Sequence, residues 1–434
     1  MKSKKPKQLL PKRLIAFLLA ILPAASISSF NVIENTSSVN EPIGGTDTPS
    51  QTTHMTSLVL PTFEGAIAHK KPEALLVRAI ELIRSGKLED AQLALNQLIT
   101  AYPNYKLAYL IQGDLLLARQ HAISTLGNLA SAQPNDLSDL RHEAKVRVDH
   151  YVSDIPTEEV PSNAVKLADS QKYILAVDVV KSRMFVYQNV NGLPKRIDDF
   201  YITIGKNGFD KYVEGDQRTP LGVYFVTSEL AKSTLPDMYG DAAFPLNYPN
   251  EWDKRENRTG HGIWIHGSPS GTYSRPPLSS NGCVALTNPD LGALRKYLQV
   301  GITPVIISKN FQWVKAGDQA QLKSSLESNI ESWRKDWESL NTQRYLSHYA
   351  DSFKNSTADL STWKAQKSAV NATRKWLKVG VKNLSLFAYP GKSDLVVATF
   401  EQNYESDVVS GTSIKRQYWQ RFGNDWKIVF EDAA

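Results

Sequence analysis

Short apolar runs separated by turn residues fill the middle of the chain, a pattern that predicts β-strands. The runs are rich in β-branched and aromatic residues and lie at 173–179, 183–188, 200–205, 222–227, 262–266 and 303–308. Many strands and few helices predict a mainly-β domain over residues 162–310. One helix is predicted inside it, with Asn288 as N-cap, Pro289 at its first position and Leu298 near its end.

The stretch before this domain, residues 64–151, has apolar residues at helical spacing. Its first helix carries an apolar stripe of Leu75, Leu76, Ala79, Ile80 and Ile83. A second helix follows Gly86 and ends near Pro103, and a third occupies residues 105–119. A helix pair with Ala91 and Pro103 in these places resembles a tetratricopeptide repeat (TPR), whose period is about 34 residues. An ordinary helical hairpin explains the pattern equally well, and either way we expect the region to pack on its neighbour or on a partner protein.

The C-terminal part, residues 319–434, predicts helices followed by strands. Its first helix has one apolar face, formed by Leu322, Leu326, Ile330, Trp333, Trp337 and Leu340. Two more helical stretches are predicted, one to about Phe353 and one at 363–377, before four strands at 384–389, 395–404, 414–421 and 426–431. This order resembles the NTF2-like cone fold, an α+β fold. Because the first helix supports a core of its own, we expect the mainly-β domain to stay folded without residues 320–434.

The N-terminal 26 residues have the pattern of a secretory signal. Residues 1–13 contain six basic and no acidic side chains, and an apolar run at 14–22 and several small residues follow. An uncleaved membrane anchor is the alternative. Residues 27–63, rich in Ser, Thr, Asn, Pro and Gly, are predicted to be a flexible linker. The sequence therefore predicts an exported, periplasmic protein that contacts a membrane only through an uncleaved N-terminus.

Charge argues against nucleic acid as a partner. The chain has 50 Lys and Arg against 44 Asp and Glu, a net charge of +6. The six basic residues of the N-terminal segment account for this excess, so the exported part is close to neutral. The excess therefore indicates targeting rather than nucleic-acid binding.

The only cysteine, Cys283, follows Gly282 in a Ser-Asn-Gly-Cys segment, and His266 closes an apolar run. An exported protein with one cysteine cannot form an internal disulfide, so the thiol is free, buried or bridged to another chain. A strand end and a loop end can bring His266 and Cys283 together, and a thiolate nucleophile needs such an imidazole. The alternative is a small buried hydrophobic residue, but Cys283 lies among Ser, Asn and Gly rather than in an apolar run.

This stretch resembles the catalytic signature of the L,D-transpeptidase (YkuD-type) family: His-Gly at a strand end, a loop, then Ser/Thr-x-Gly-Cys. The resemblance covers roughly residues 171–309. It implies that Cys283 is the nucleophile, His266 the base, and the Gly267 carbonyl the group that orients His266. The longer string, including Tyr-Pro-Asn, Ser-Arg-Pro-Pro and Gly-Cys-Val-Ala-Leu-Thr-Asn, resembles the branch of cell-shape L,D-carboxypeptidases, some of which carry an NTF2-like domain after the catalytic domain.

The same segment supplies the predicted substrate-binding residues: Tyr239, Tyr248, Trp264, Arg275, Ser280, Asn281 and Gly282. Many family members have Arg two residues after the cysteine and His two residues before it, where this chain has Ala285 and Asn281. Any substrate contact that the His and Arg side chains make in other family members is therefore not expected in this chain. The aromatic residues between 239 and 258 form either a binding lid or the cover of a sheet.

The resemblance implies cleavage of the bond between meso-diaminopimelate and D-Ala in peptidoglycan stem peptides, through a thioester. Transfer to an amine gives transpeptidation, and transfer to water gives carboxypeptidation. A non-catalytic cell-wall scaffold, built from the TPR-like and NTF2-like regions, is the alternative. The sequence has no cysteine pair for zinc, no His-Glu-x-x-His and no Gly-rich phosphate loop, so we expect no metal or cofactor.

Overall fold

The structure is a computed structural model that describes residues 70–119, 126–127, 134–152 and 158–433. The predicted secretory segment and linker, residues 1–63, lie outside these ranges. Within them, no helix combines the length and apolarity needed to cross a bilayer.

The described N-terminal region is helical: α1 (Lys71–Arg84), α2 (Leu88–Ala101), α3 (Lys106–Leu117) and α4 (Pro134–Val152). The apolar stripe predicted for the first helix faces inward, where Leu75, Leu76, Ala79 and Ile80 join a buried cluster with the other three helices. The three helices expected from periodicity are confirmed. Helix α4 lies within the stretch predicted to be helical, but the sequence did not place it as a separate helix, because its polar composition hides its narrow apolar face, Ala144 and Val148. The TPR resemblance stays a prediction.

The catalytic region has short strands: β1 (Glu159–Pro161), β2 (Ala164–Lys166), β3 (Tyr173–Asp178), β4 (Arg183–Val190), β5 (Leu193–Tyr201), β6 (Ile204–Gly205), β7 (Gly222–Phe225), β8 (Leu230–Ala231), β9 (Ala242–Pro245), β10 (Trp264–His266), β11 (Leu278–Ser280), β12 (Val284–Ala285), β13 (Pro304–Ser308) and β14 (Trp313–Lys315). Its helices are α5 (Glu251–Arg255) and α6 (Asn288–Arg295), with 3₁₀ turns at Lys232–Thr234 and Asp237–Tyr239. One sheet has the order β5-β4-β3-β13-β7, and a second has the order β12-β10-β9-β8. Their facing sides form a single apolar cluster that includes Leu175, Val186, Phe244, Ile265 and Val284. The mainly-β prediction is confirmed.

Helix α6 begins one residue earlier than the sequence suggested. Thr287, not Asn288, is the N-cap: its hydroxyl accepts the Asp290 N–H at 3.1 Å. Thr and Asn are both good N-caps, so the sequence alone does not separate them. Because Thr287 caps the helix, the Asn288 side chain is available to bond the Ser268 backbone.

The C-terminal domain contains α7 (Ala320–Glu338), α8 (Thr342–Leu346) and α9 (Leu360–Ala372), followed by β15 (Leu377–Ala388), β16 (Leu395–Ser406), β17 (Ser410–Phe422) and β18 (Asp425–Ala433). The predicted face of α7 is buried at Leu326, Ile330, Trp333 and Trp337. Three helices packed on a curved antiparallel sheet confirm the predicted α+β domain. The third predicted helix extended too far, because Leu377 already begins β15.

The C-terminal sheet continues into the preceding mainly-β region, residues 159–315. Its order is β18-β17-β16-β15-β2, so a strand from residues 164–166 pairs with β15. An apolar cluster joins the two regions and includes Phe185, Phe225, Trp252, Phe311, Phe387, Tyr389, Tyr418 and Phe430. The C-terminal domain has a further cluster under α7. The C-terminal domain therefore has the core expected from its first helix, but a second cluster is shared with the preceding region; whether that region stays folded alone stays a prediction.

Candidate active site

Two short parallel strands bring His266 and Cys283 together. β10 ends at His266, β12 begins directly after Cys283, and His266 pairs with Ala285. Side chains two residues apart in an extended chain share a face, so Cys283 lies on the same sheet face as Ala285 and His266, and the register carries it to a position opposite Trp264. On its other side His266 pairs with Ala243 of β9, so His266 lies on a central strand of the sheet rather than on an edge strand.

The backbone fixes the orientation of the His266 ring. Its Nδ1 lies 2.7 Å from the carbonyl oxygen of Gly267, the contact that the family resemblance implies. With Nδ1–H donating to that oxygen, Nε2 is the nitrogen able to take a proton. Burial is the main cause that lowers the pKa of His266 to about 4; the Gly267 contact opposes this shift and the charge of Arg275 adds to it. The imidazole is therefore neutral, and able to act as a base, at neutral pH.

The Cys283 thiol is buried, with 8% of the residue exposed. Its Sγ donates to the carbonyl of Gly262 at 3.4 Å. Burial raises the pKa of the thiol, while the Trp264 backbone N–H, Arg275 and Lys211 oppose the rise. Together with the low pKa of His266, this means that the resting pair is a neutral thiol and a neutral imidazole.

The backbone of the nucleophile loop is held by hydroxyl groups. Ser280 Oγ donates to the Cys283 carbonyl at 2.7 Å and accepts the Gly282 N–H at 3.1 Å. Thr219 Oγ1 donates to the Gly282 carbonyl at 3.0 Å and accepts the Gly205 N–H at 2.9 Å. Gly282 has φ +118°, and a Cβ there would lie 2.8 Å from the Arg218 carbonyl, so only glycine fits. Ser280 and Gly282 therefore shape the loop, rather than binding substrate through their side chains.

Asn288 fixes the turn after His266, a role that the sequence did not reveal. Its Nδ2 donates to the Ser268 carbonyl at 2.8 Å, and its Oδ1 accepts the N–H groups of Asp241 and Ser268, each at 3.2 Å. A Cβ on Gly267 or on Gly240 would collide with the same Oδ1. The amide thus ties the His-Gly turn to the loop before β9. The Thr-Asn-Pro-Asp segment after Cys283 was the available signal, but it was interpreted only as a helix cap.

Three predicted substrate-binding residues do lie around the pair. The ring of Tyr239 stands edge-on to His266 at 5.1 Å and packs on Trp264 at 4.8 Å, and both rings are half-buried. The half-buried Arg275 donates from Nη2 to the Ser279 carbonyl, within the loop that leads to Cys283. Trp264 and Arg275 also act on the Cys283 thiol, through the Trp264 N–H and the Arg275 charge.

Asn281 and Tyr248 lie in different surroundings. Asn281 is exposed beside the nucleophile. Tyr248 belongs to the hydrophobic core, and its OH donates to the Thr259 carbonyl at 3.0 Å, so its assignment to substrate binding is corrected. Phe244 and Trp252 are buried as well. Of the two interpretations of the aromatic segment, a binding lid or the cover of a sheet, burial therefore favours the sheet cover for every ring except Tyr239.

The second histidine of the segment, His261, is separate from the pair. It lies before β10 and is exposed, with Nδ1 3.6 Å from a Glu214 carboxylate oxygen. Among the described residues, no group of three or more His, Cys, Asp or Glu side chains converges in the way metal ligands do. The chemistry that this geometry supports is acyl transfer through a thiol and a base.

Comparisons with known proteins agree with this architecture. Residues 172–307 match the L,D-transpeptidase catalytic domain (YkuD), and residues 325–432 match the Cds6 C-terminal NTF2-like domain. The structure of Bd1075 from Bdellovibrio bacteriovorus is 28% identical with a TM-score of 0.56, and the alignment covers 64% of this chain and 98% of that one. Pgp2 from Campylobacter jejuni, described as a helical cell shape determining protein, is 23% identical with a TM-score of 0.55, covering 63% and 95%. No curated protein sequence matches the chain. The chain thus contains a catalytic domain of the L,D-transpeptidase (YkuD) family followed by a C-terminal NTF2-like domain.

Proposed function

We propose that this protein is a peptidoglycan-modifying cysteine enzyme that cleaves the bond between meso-diaminopimelate and D-Ala in stem tetrapeptides. The observation that carries the proposal is the parallel pairing of β10 with β12, which sets the only cysteine on the same sheet face as an oriented, neutral histidine. The matched YkuD domain supports the substrate class. The N-terminal segment supports a periplasmic location, and the likeness to Pgp2 supports a role in cell shape. A protein partner of the helical or NTF2-like region stays a prediction.

The reaction begins when Cys283 Sγ attacks the peptide carbonyl carbon and its proton passes to Nε2 of His266. The carbonyl oxygen becomes an oxyanion. The Gly282 N–H is already bonded to Ser280 Oγ, so we assign the oxyanion contact to the N–H of Cys283 itself. The C–N bond then breaks, the protonated His266 returns its proton to the departing D-Ala amine, and a thioester remains.

An acceptor then resolves the thioester. Water or an amine loses a proton to His266 as it attacks, the C–S bond breaks, and the Cys283 thiol regains the proton. Tyr239 and Trp264 shield the imidazole during these steps, and the Asn288 contacts keep the His-Gly turn in place.

Substitution of His266 by alanine should lower kcat/KM for tripeptide release by about two orders of magnitude or more, the usual contribution of a positioned base. His261→Ala is the matched control, because His261 is exposed and lies outside the strand pair. It should stay near the wild-type value. Both variants are compared on the same tetrapeptide. Equal losses, or a larger loss for His261→Ala, would show that the base is assigned wrongly.

Water is expected to be the main acceptor, so tripeptide should exceed cross-linked or exchanged product. Ala285 is buried between Thr203 and His266, and Asn281 is uncharged and exposed. Neither position offers a cation to hold a second stem peptide, and an amine must be held at about 3–3.5 Å to outcompete water. Incubation with tetrapeptide muropeptides and excess D-amino acid measures the ratio. Dominant exchange or 3–3 dimer would identify a transpeptidase, and no turnover at all would favour the scaffold alternative.

A further inference from the structure

The loop between His266 and Cys283 packs against the helical region, although more than a hundred residues separate them in sequence. The N–H of Tyr273 donates to the Asn104 carbonyl at 3.3 Å. The Tyr273 ring packs on Tyr102 and Tyr105, with centroids 4.8 and 4.6 Å apart. The loop that leads to Cys283 is therefore packed against the helical region.

The next residue, Ser274, is held by two buried charged groups of α4. Ser274 Oγ donates to Glu143 Oε1 at 2.6 Å and accepts from Arg147 Nη2 at 2.7 Å. Glu143 and Arg147 are 1% and 3% exposed and pair with each other at 3.0 Å. Arg147 also pairs with Glu73 of α1 at 2.8 Å, and Glu73 pairs with Arg183 of β4 at 2.9 Å. This network ties the helices to the catalytic sheet at the position of Ser274.

The backbone of Arg275 is fixed from the opposite side. Its carbonyl accepts the Tyr201 hydroxyl at 2.8 Å and the Thr203 hydroxyl at 3.1 Å. The Arg147 guanidinium lies 3.7 Å from the centre of the Tyr201 ring, so the same cation that holds Ser274 also packs on the group that holds Arg275. The Arg275 head group then reaches Ser279, whose neighbour Ser280 donates to the Cys283 carbonyl.

We propose that the helical region is a positioning element of the active site: Glu143 and Arg147 of α4 fix Ser274, and thereby place the Arg275 guanidinium on the nucleophile loop. The proposal rests on the proposed function only for its effect on turnover. Its geometric part, the placing of Arg275 near Cys283, needs no substrate and no turnover. Neither matched domain includes α4, which ends before residue 172.

The consequence for the thiol is electrostatic. Burial raises the pKa of Cys283, and the charge of Arg275 opposes that rise, together with the Trp264 N–H and Lys211. Lys211 is itself paired with Asp216 at 2.7 Å, and the neighbouring His266 is neutral near pH 7. If Ser274 loses its hydroxyl, the loop is no longer fixed at that point and Arg275 moves relative to the thiol. The thiolate then loses part of its stabilisation.

The test is a double-mutant cycle of Ser274→Ala and Arg275→Gln, read out by the pH dependence of Cys283 alkylation with iodoacetamide. Ser274→Ala should move the alkylation midpoint to higher pH and should lower kcat/KM by about tenfold or more, since small misplacements near the reacting atoms are costly. In the Arg275→Gln background the same change should add little, because the two residues act as one unit. Ser274→Thr, which keeps a hydroxyl, should restore the wild-type midpoint.

Ser85→Ala is the matched control. It makes the same chemical change in the helical region, at an exposed residue whose hydroxyl bonds only the Glu81 carbonyl of the helix it caps. It should leave both readouts unchanged. An unchanged midpoint in folded Ser274→Ala, or additive shifts in the double variant, would overturn the proposal. Because alkylation needs no peptide, an inactive wild-type enzyme would count against the proposed function and leave this test intact.

Discussion

Replacing Cys283 with serine should reduce product formation to below about one thousandth of the wild-type rate while the protein stays folded. Removal of a nucleophile alone costs several orders of magnitude in enzymes of this kind. Serine is a poor substitute because a hydroxyl has a pKa far above that of a thiol, whose free value is about 8.5. The neutral His266, with a pKa of about 4, is too weak a base to compensate. The buried setting, which already disfavours a thiolate, disfavours an alkoxide still more.

Mass spectrometry measures the effect directly. The wild-type protein should gain the mass of one carbapenem or of one stem tripeptide as a thioester, and Cys283→Ser should gain neither. Cys283→Ala is the comparison variant, and it should show the same residual rate as the serine variant. The thermal midpoints of all three proteins should be close, because Sγ makes only weak contacts, with the Gly262 carbonyl at 3.4 Å and with the Trp264 N–H. Substantial turnover by the serine variant would rule out thiol catalysis.

The local elements of the fold could be predicted because their causes are local. The alternating and apolar runs placed β3, β4, β10 and β13 to within a few residues, and helical periodicity placed α1 to α3 and α7. Cys283 and His266 were identified as a pair from their residue types and the glycines beside them. Their strand pairing follows from an apolar segment that ends at the histidine. These features depend on neighbours within a turn or a strand.

The features that escaped prediction depend on distant partners. Glu143 bonds Ser274 across 131 residues, and neither has a local pattern that marks it. The three residues of β2 join a sheet whose next strand begins at Leu377. Tyr248 looked like a binding residue because it lies among Gly, Pro and Asn, yet it is buried in the core. Composition along the chain does not reveal which faces meet in three dimensions.

Deleting residues 316–434 should leave the catalytic region unable to fold into a soluble monomer, contrary to what the amphipathic α7 alone suggests. The deletion removes eight of the twenty buried residues of the shared apolar cluster and exposes Phe225 and Trp252, which pack against Arg416 and Tyr418. Uncovering one large apolar side chain costs about 1.5–3 kcal/mol. Uncovering about five of them therefore matches the 5–15 kcal/mol by which a whole domain is stable.

Buried polar contacts across the same boundary would be lost as well. Glu251 accepts from Arg416 at 3.1 Å and from the Tyr418 hydroxyl at 3.0 Å, and Lys392 pairs with Glu256 at 2.7 Å. β2 would lose β15, its partner in the C-terminal sheet, and expose unpaired backbone groups. Both effects favour aggregation of the truncated protein over a smaller folded unit.

A nicked protein provides the control for the deletion. Gly317 and Asp318 lie in an exposed turn between β14 and α7, so a protease site inserted there breaks the chain at the cost of only the hydrogen bonds within that turn. After cleavage the two fragments should elute together in size-exclusion chromatography, and Cys283 should still be acylated by a carbapenem. The deleted protein, expressed in parallel, should be insoluble or aggregated. A monomeric deletion variant with wild-type acylation would show that the shared cluster is dispensable, and that the catalytic region folds on its own.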